Sequence, residues 1–392
     1  MDKQENITSK CERLRDEVPL SVIGTFGEAQ IFTETLDPNA AGMIRALCDA
    51  EIARDSVIRV MPDVHAGKGC VVGTTMMTRG KIAPALLGGD IGCGMTARKL
   101  KMKGRPDLHQ LDKIIRTAIP AGMKIHDEPI CYPAETDAAL EMLKCARHVQ
   151  LDKARRSIGT LGGGNHFIEV GCENGRDYWL TIHSGSRHLG MEVAEYYAEL
   201  AQEQHGNRYR DFAYLTDEIM ADYLHDVEIL QYYAKCNREM IIRQILGGMK
   251  WKADRGDDAV IECPHNFLEV TGDTVLLRKG AIRAEAGERL IIPMNMRDGC
   301  LICVGKGNDD WNRSAPHGAG RLMARGDARN SFTLTQYKKE MQGIFTTCIS
   351  RETIDESPMA YKPMAEIVGR IAPTAEIVSR LVPLYNFKAG GE

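Results

Sequence analysis

Strand-like and helix-like segments follow one another in long blocks, and this order most limits the folds open to the chain. Runs rich in β-branched residues and glycine predict strands over about 57–104, 158–187 and 255–320. Apolar residues at helical spacing predict helices over Asn39–Ile52, about 105–157 and about 190–247. Because strands and helices do not alternate one by one, we predict an α+β fold with a strand-rich core instead of a doubly wound sheet. No linker interrupts residues 1–392, so one catalytic domain with a helical insertion at about 190–247 is expected.

Composition narrows the class of protein. With 43% hydrophobic residues, the chain has enough apolar surface to fold, so a disordered protein is excluded. The 50 Lys+Arg against 54 Asp+Glu give a net charge of −4, which excludes a coat of positive charge for wrapping nucleic acid but not a local basic groove. The polar start, MDKQENITSK, does not predict a signal or transit peptide, and no apolar run reaches the roughly 20 residues of a membrane helix.

Twelve cysteines are scattered singly from Cys11 to Cys348, without the spacing of a disulfide framework. We therefore expect reduced, mostly buried thiols in a cytoplasmic protein that has no membrane partner. A monomer is favoured, although no sequence feature determines the oligomeric state.

Five of the eleven histidines lie in segments punctuated by glycine or proline, namely His65, His166, His183, His265 and His317. The turn GGDIGCGM adds a carboxylate, Asp90, three residues before the thiol of Cys93. Imidazole, thiolate and carboxylate all bind metals, and glycine allows a turn tight enough for two of them to reach one ion. Taken alone, GGDIGCGM is better explained as a tight turn with a buried cysteine.

Arginines follow two of these histidines at the same spacing. Arg187 is four residues after His183, and Arg321 is four residues after His317. Arginine can bind two phosphate oxygens at once. In SAPHGAGR, small neighbours leave His317 accessible, which suits a nucleophile that attacks a phosphate. The residues thus predict a metal-assisted enzyme that acts on phosphate esters with more than one ion, and they do not identify its substrate.

The motifs PDVH, DIGCGM, GGGNHFIE, HSGSRHLG, PHN and HGAGR occur in this order along the chain. In this series the chain resembles the RtcB family of GTP-dependent, manganese-dependent RNA ligases over nearly its whole length. The resemblance implies the family's own α+β fold, built around an open cleft with a dinuclear metal site. It implies that Cys93 bridges two Mn²⁺ ions. The other implied ligands are His166 and His183 for one ion, and Asp90 and His265 for the other.

The resemblance also implies roles around the metals. His317 would attack the α-phosphate of GTP, forming a His–GMP phosphoramidate and releasing pyrophosphate. Arg187 and Arg321 would hold phosphates, and Asp63 would assist at the metal site during end processing. The implied nucleotide contacts are Asn165, Glu169, His317, Gly318, Tyr361 and Lys388.

In such a ligase, GMP passes to an RNA 3′-phosphate, which is formed where necessary from a 2′,3′-cyclic phosphate. A 5′-hydroxyl then displaces the GMP and joins the ends. RNA and GTP are therefore the implied partners, in RNA repair or tRNA splicing. Two departures from the family pattern, HAGKG after PDVH and Pro316 in SAPHGAGR, leave the physiological RNA open.

Two other functions stay open at this point. A dinuclear metal phosphodiesterase or phosphatase would use the same ligands, but it would act without GTP and without a covalent His317. A non-enzymatic RNA-binding protein with a structural metal would bind RNA without turnover. The combination of HGAGR with a matching Lys388 favours the ligase.

Overall fold

Helices and sheets are both extensive, and the α+β fold is as predicted. The computed structural model describes residues 19–205 and 212–390. The polar start, Cys11 and most of the predicted break at 205–210 lie outside the described residues. None of the described helices combines the length and the apolar character needed to cross a membrane. The prediction of one domain over residues 1–392 stays a prediction.

The strands of the described ranges are β1 (Leu20–Ile23), β2 (Glu28–Ile31), β3 (Val57–His65), β4 (Val72–Arg79), β5 (Gly94–Lys101), β6 (Phe167–Glu173), β7 (Asp177–Ser184), β8 (Lys252–Ala253), β9 (Val260–Pro264), β10 (Asn266–Thr271), β11 (Thr274–Lys279), β12 (Ala281–Arg283), β13 (Arg289–Asn295), β14 (Gly299–Gly305), β15 (Ser314–Pro316) and β16 (Ala375–Phe387). The α-helices are α1 (Pro38–Cys48), α2 (Pro84–Leu87), α3 (Leu108–Ala118), α4 (Ala134–Glu141), α5 (Leu151–Ser157), α6 (Arg187–Gln204), α7 (Asp217–Met249), α8 (Arg325–Ser331), α9 (Leu334–Glu340) and α10 (Met364–Val368). The predicted strand and helix blocks therefore fall where the structure has them.

Two large sheets and one strand pair organise the chain. One sheet has the order β1-β2-β3-β4-β11-β10, in which β2 and β3 run parallel and the other neighbours antiparallel. The other sheet has the order β13-β14-β16-β6-β7-β5-β8, and β9 also pairs with β5. The short pair β12–β15 is separate from both sheets. The connection from β9 through β10 and β11 to β12 therefore joins all three.

A proline inside β3 produces the irregularity at the first motif. Pairing with β4 is regular from Val57 to Val60, and the register then shifts before His65. Pro62 has no N–H to contribute to the ladder, so pairing is interrupted at this point. Asp63 is completely buried in the interrupted segment, where its carboxylate can bond to a group outside the sheet.

The long helix α7 contributes to two of the hydrophobic cores. Tyr223, Leu230 and other residues of its first part pack in the core that also contains residues of the six-stranded sheet, α1 and α6. Ile241 and Ile245, in its last part, pack with the apolar side chains of β6, β7, α3 and the end of β16. The helical block at 190–247 is thus attached to both large sheets.

Helix α1 ends earlier than its apolar pattern predicts. The prediction was Asn39–Ile52, whereas the α-helix ends at Cys48 and a 3₁₀ turn follows at Glu51–Ala53. The carbonyl oxygen of Cys48 accepts hydrogen bonds from the N–H groups of Phe26 and Gly27, at 3.0 and 3.1 Å. Because the β1–β2 turn occupies this carbonyl, the helix cannot continue past it.

A buried carboxylate on α7 provides a test of how the helical block is held. Asp226 is completely buried and accepts hydrogen bonds from the backbone N–H groups of Lys144 (2.7 Å) and Cys145 (3.0 Å) and from the Tyr197 hydroxyl (2.8 Å). Asp226→Ala leaves these donors without an acceptor. We expect it to lower the free energy of unfolding by about 3–5 kcal/mol, measured by urea denaturation.

Asp222, one turn earlier on α7, is the matched control. Its side chain is 41% exposed, and its carboxylate lies 3.8 Å from the Lys144 ammonium. Asp222→Ala should change the free energy of unfolding by less than about 0.5 kcal/mol. If both variants lost the same free energy of unfolding, the buried contacts of Asp226 would not be what stabilises the helical block.

Candidate metal and nucleotide site

The residues of GGDIGCGM form a tight turn between α2 and β5. The N–H of Cys93 donates to the carbonyl oxygen of Asp90 at 3.1 Å, which closes the turn and brings both side chains to the same side. Gly185 packs against this turn so closely that a Cβ there would lie 2.0 Å from Asp90 Oδ1. A side chain at position 185 would therefore displace the carboxylate.

Three histidines reach the turn from strand ends. His166 directly precedes β6, and His183 lies near the end of β7, opposite Phe167 of β6 and Met95 of β5. His265 connects β9 to β10, and its N–H donates to the carbonyl oxygen of Cys93 at 2.8 Å. The register of the eight-stranded sheet thus fixes the histidines beside the turn.

The donor atoms of these residues converge. Cys93 Sγ lies 3.2 Å from His166 Nε2 and 3.3 Å from His183 Nε2. His166 Nε2 lies 3.0 Å from Asp90 Oδ2, and His183 Nε2 lies 3.2 Å from His265 Nε2. Cys93, His166 and His183 form a buried group whose ligand atoms lie within 4.8 Å of one another. The five predicted ligands are therefore brought together, and their division between two ions stays a prediction.

The chemistry of this set fits a cation. His183 Nδ1 lies 3.1 Å from the carbonyl oxygen of Asn165. A carbonyl oxygen only accepts, so Nδ1 carries the proton and Nε2 presents a lone pair to Cys93 and His265. The Nε2 lone pair of His183 therefore points into the group, where a cation could bind it. Imidazole, thiolate and carboxylate are also the side chains that bind divalent metals.

The protonation states of the ligands agree with this interpretation. Burial lowers the pKa values of His183 and His265 well below the usual value, so both imidazoles are neutral and ready to bind a metal. Burial, together with the charge of Asp90, raises the pKa of the Cys93 thiol well above its usual value. Burial also opposes ionisation of Asp90, but the hydrogen bond and charge of His166 outweigh it and lower this pKa to about 2. A metal would have to displace the proton of Cys93 on binding.

A cavity of about 750 Å³ opens next to this group, and its size suits a nucleotide. His183 contributes to its wall, so the cavity adjoins the metal ligands. The predicted nucleotide and phosphate residues on the wall are Asn165, Glu169, His317, Gly318, Arg321, Tyr361 and Lys388. Apart from His317, seven residues were predicted to contact the nucleotide or a phosphate. Six of them line this cavity, and Arg187 does not.

His317 follows β15 and is held by Asp63. Oδ2 of Asp63 accepts hydrogen bonds from Nδ1 of His317 at 2.7 Å and from the backbone N–H groups of His317 and Gly318, each at 3.1 Å. Because the carboxylate accepts a hydrogen bond from Nδ1–H, the neutral ring carries its lone pair on Nε2. The ring centroid lies 4.9 Å from that of His265. Asp63 therefore positions His317, and its predicted role in end processing stays a prediction.

His65, the fifth histidine, lines the same cavity. Its Nδ1 lies 3.0 Å from the carbonyl oxygen of Asp63. Burial lowers its pKa to about 4, so the ring is neutral. Of the five histidines selected from the sequence, four therefore approach one another around the metal group, and the fifth lies close to His317.

The two predicted phosphate-binding arginines lie in different surroundings. Arg321 lines the cavity, with its guanidinium 5.4 Å from the centroid of the Tyr361 ring and Nη1 3.2 Å from Glu356 Oε1. Arg187 lies beside His166, and its guanidinium donates to Thr160 Oγ1 at 3.2 Å and to the Gly122 carbonyl oxygen. Arg187 does not line the cavity, and its phosphate-binding role stays a prediction.

Glu356 lies behind the cavity wall and bonds to residues that line it, and the sequence motifs did not indicate it. This 1% exposed carboxylate accepts hydrogen bonds from Lys388 Nζ at 3.0 Å, from Arg325 Nη1 at 2.6 Å and from the Tyr361 hydroxyl. Burial opposes its ionisation, but the charges of Lys388, Arg325 and Arg321 lower its pKa to about 2. The DES of DESPMAYK resembles a surface turn in sequence, and no spacing signal could have placed its glutamate here.

Glu169 lines the cavity and is 1% exposed. Its oxygens accept hydrogen bonds from Asn386 Nδ2 at 2.9 Å and from the Cys300 thiol at 3.5 Å. Burial raises its pKa to about 7, although Asn386, Cys300 and Lys388 act in the opposite direction. Cys300 also lines the cavity, so a second cysteine, besides Cys93, has a place at the site that the sequence did not predict.

Comparison with known proteins agrees with this arrangement. The profile of the family described as "tRNA-splicing ligase RtcB" matches residues 50–150 and 138–389. The chain belongs to the RtcB family. It is 33% identical to the RNA-splicing ligase RtcB of Escherichia coli (strain K12), in an alignment that covers 78% of this chain and 83% of that protein. It is 27% identical to the tRNA-splicing ligase RtcB of Archaeoglobus fulgidus, with 79% and 82% covered. The predicted membership of the RtcB family is confirmed.

The raised pKa of Glu169 has a consequence for stability. In the unfolded chain this group titrates near its usual value of 4.5, and in the folded protein at about 7. Between these pH values the folded state binds more protons than the unfolded state. The free energy of unfolding therefore falls as the pH rises, and the whole of this loss is present above about pH 7. Glu169→Gln should stabilise the metal-free protein at pH 8 by ~3 kcal/mol and should have little effect near pH 4.5.

Chemical denaturation of the EDTA-treated protein at several pH values measures this effect. Glu376→Gln, at an exposed position of the neighbouring strand β16, is the control and should change stability by less than about 0.5 kcal/mol at each pH. If the stability gain of Glu169→Gln does not grow with pH, the pKa of Glu169 is not raised in the folded protein.

Proposed function

We propose that this protein is an RNA ligase that joins RNA 3′-phosphate or 2′,3′-cyclic phosphate ends to 5′-hydroxyl ends through a His317–GMP intermediate. Membership of the RtcB family and the ligase names of its relatives support an RNA-joining activity. The observation on which the proposal depends is the pair His317–Asp63. It presents an unprotonated imidazole nitrogen at the wall of a nucleotide-sized cavity, next to a metal-binding group.

In the first step, Nε2 of His317 attacks the α-phosphorus of GTP. An N–P bond forms, the bond from the α-phosphorus to the bridging oxygen breaks, and pyrophosphate leaves. The Nδ1 proton stays on the ring, and the buried Asp63 carboxylate offsets the positive charge that the imidazole gains. The backbone N–H of Gly318 is held by the same oxygen, so the loop that carries the nucleophile cannot rotate freely.

Another part of the cavity wall offers groups for the guanine base and ribose. Lys388 Nζ is a donor that lies 3.2 Å from the Asn165 carbonyl oxygen, and the Glu169 carboxylate is an acceptor. Guanine presents both acceptors and donors on its edges, so a lysine and a glutamate on one cavity wall are complementary to it. The Tyr361 ring, against the Arg321 guanidinium, supplies an apolar surface.

In the second step, an oxygen of the RNA 3′-phosphate attacks the phosphorus of His317–GMP, and the N–P bond breaks to regenerate the imidazole. In the third step, the RNA 5′-hydroxyl attacks the 3′-phosphorus, a 3′–5′ phosphodiester bond forms and GMP leaves. We propose that Arg321 and Arg187 offset the charge on the phosphoryl oxygens during these steps.

We propose that two Mn²⁺ ions are held by Cys93 together with His166, His183, Asp90 and His265. Bound divalent ions would supply electrostatic stabilisation of the charge that develops on the phosphate oxygens. Eleven free cysteines among the described residues, most of them buried, support a reducing compartment. We therefore propose that the reaction takes place in the cytoplasm, on RNA and GTP as substrates, and we favour a monomer.

The covalent step is tested with GTP labelled at the α-phosphate. Incubation of the purified protein with Mn²⁺ and labelled GTP should leave label on the denatured chain, and His317→Ala should reduce it to background. His188→Ala is the matched control, because this half-exposed histidine lies on α6 and pairs with Glu192. Its label should equal that of the wild type.

Absence of label on the wild-type chain, or equal label on His317→Ala, would contradict the proposal. Cleavage of an RNA phosphoester without GTP would instead favour the dinuclear phosphodiesterase. A ligation assay with one RNA that ends in a 3′-phosphate and another that begins with a 5′-hydroxyl completes the test, and joining should require GTP.

Asp63→Asn should impair the same step without unfolding the protein. Two backbone N–H groups also point at Oδ2, so the asparagine oxygen takes this place and keeps the contact with Nδ1. The variant therefore loses the negative charge that offsets the charge on the attacking imidazole. We expect the single-turnover guanylation rate to fall by ~10²–10³-fold, while the GTP concentration at half-maximal rate changes little because Asp63 is not on the cavity wall. An unchanged rate would show that the charge of Asp63 does not assist His317.

A further inference from the structure

Two neighbouring polar side chains on α7 are buried behind the metal group. Asn237 is completely buried and Arg238 is 1% exposed. Neither lines the cavity, and neither belongs to the ligand set. Side chains of this polarity are rarely enclosed unless their hydrogen bonds are satisfied, so their partners indicate what they hold together.

Arg238 bonds to three separate segments. Its Nη1 donates to the carbonyl oxygens of Gly92 and Ser184, each at 2.9 Å. Its Nε donates to Thr96 Oγ1 at 3.0 Å, and its Nη2 pairs with the Glu262 carboxylate. One planar guanidinium is thus fixed on the DIGCGM turn, on the end of β7 and on β9.

These partners are the immediate neighbours of metal ligands. Gly92 precedes Cys93, and Ser184 follows His183. Glu262 lies on β9, three residues before His265. Arg238 therefore bonds to the sequence neighbours of two ligands and to the strand that leads to a third.

Asn237 connects the remaining ligand segment. Its Oδ1 accepts hydrogen bonds from the N–H groups of Gly159 (2.8 Å) and Thr160 (3.0 Å), which lie in the loop before GGGNH. Its Nδ2 donates to the carbonyl oxygens of Thr160 (3.2 Å) and Gly185 (3.0 Å). The loop that leads to His166 is thereby tied to the segment that follows His183.

We propose that Arg238, assisted by Asn237, is a positioning residue for the metal centre, and that α7 serves to bring this pair to it. The ligands come from segments that are far apart in the chain. Hydrogen bonds from one rigid group to their backbones hold the segments at the observed separation, which lowers the cost of assembling the site when a metal binds. The inference rests on the metal site of the proposed function, but not on the chemistry of ligation.

The planar, forked shape of arginine is essential to this role. Two carbonyl oxygens, a hydroxyl and a carboxylate are reached by three nitrogen atoms in fixed directions. A lysine ammonium can keep the pairing with Glu262, but it cannot reach both carbonyl oxygens at the same time. Arg238→Lys therefore separates the effect of charge from that of geometry, and Arg238→Met removes both.

Glu239 offers a matched control on the next position of the helix. Its carboxylate pairs with Arg98 of β5 at 2.9 Å, and both side chains are about a quarter exposed. Glu239→Gln thus alters an ion pair between the same helix and the same strand that carries Thr96, without touching a ligand segment. Arg238→Met leaves Glu262 with its side chain 23% exposed, so water can hydrate the released carboxylate.

The experiment measures Mn²⁺ affinity by calorimetry on the metal-stripped full chain, without GTP or RNA. Arg238→Met should weaken binding by ~10–100-fold, Arg238→Lys should lie between this variant and the wild type, and Glu239→Gln should stay within about twofold. Co²⁺ is the second probe, because the Cys93 thiolate gives a charge-transfer absorption band when it is bound to this ion. In Arg238→Met the band should weaken or shift, whereas a purely structural role would leave the band of the folded protein unchanged.

Wild-type Mn²⁺ affinity and an unchanged Co²⁺ band in folded Arg238→Met would overturn the inference. If circular dichroism shows that Arg238→Met does not fold, Arg238→Lys decides: weaker binding with a changed band supports the inference, and wild-type values overturn it. A wild-type chain that binds neither ion also overturns it. Failure of the proposed function is distinguishable, because it appears as missing GMP label on a chain that still binds Mn²⁺.

Discussion

The convergence of five side chains at the candidate metal group is the constraint around which the rest of the structure is arranged. A thiol, a carboxylate and three imidazoles meet at 3.0–3.3 Å in a buried place. These side chains come from distant parts of the chain, so contacts outside the group must hold them in place. The closed turn at Asp90–Cys93, the register of β5, β6 and β7, and the bonds from α7 all serve this purpose.

The site combines parts with different structural origins. The eight-stranded sheet supplies ligands at its strand ends and brings Lys388 to the cavity at the end of β16. The six-stranded sheet supplies Asp63 from the interrupted part of β3, and the β12–β15 pair supplies His317. The hydrogen bonds between Asp63 and His317 therefore join elements of two different sheets. This arrangement places His317, the proposed nucleophile, beside the candidate metal ligand His265, although the two residues come from different elements.

The sequence indicated the fold class and the main site residues because glycine and proline mark the turns that carry them. Asp90, Cys93 and the four converging histidines all lie in such segments, where local spacing has chemical meaning. Glu356, Asn237 and Arg238 could not be found in this way, because an acidic turn or a polar helix position looks solvent-exposed until distant segments cover it. The early end of α1 has the same cause, since a neighbouring turn occupies the Cys48 carbonyl.

The carboxylates beneath the cavity act as permanent counterions. Asp355 and Glu356, each 1% exposed, pair with Arg321, Arg325, Arg329 and Lys388 from within the protein. Two carboxylates offset half of these four positive charges, so a dissolved anion meets a weaker field than four unpaired cations would give. Fewer salt ions need to be released when a ligand enters, so selection there depends more on shape and on matched hydrogen bonds than it would with unpaired cations. A chain with an overall negative charge can in this way handle a negatively charged substrate without attracting every polyanion in the cell.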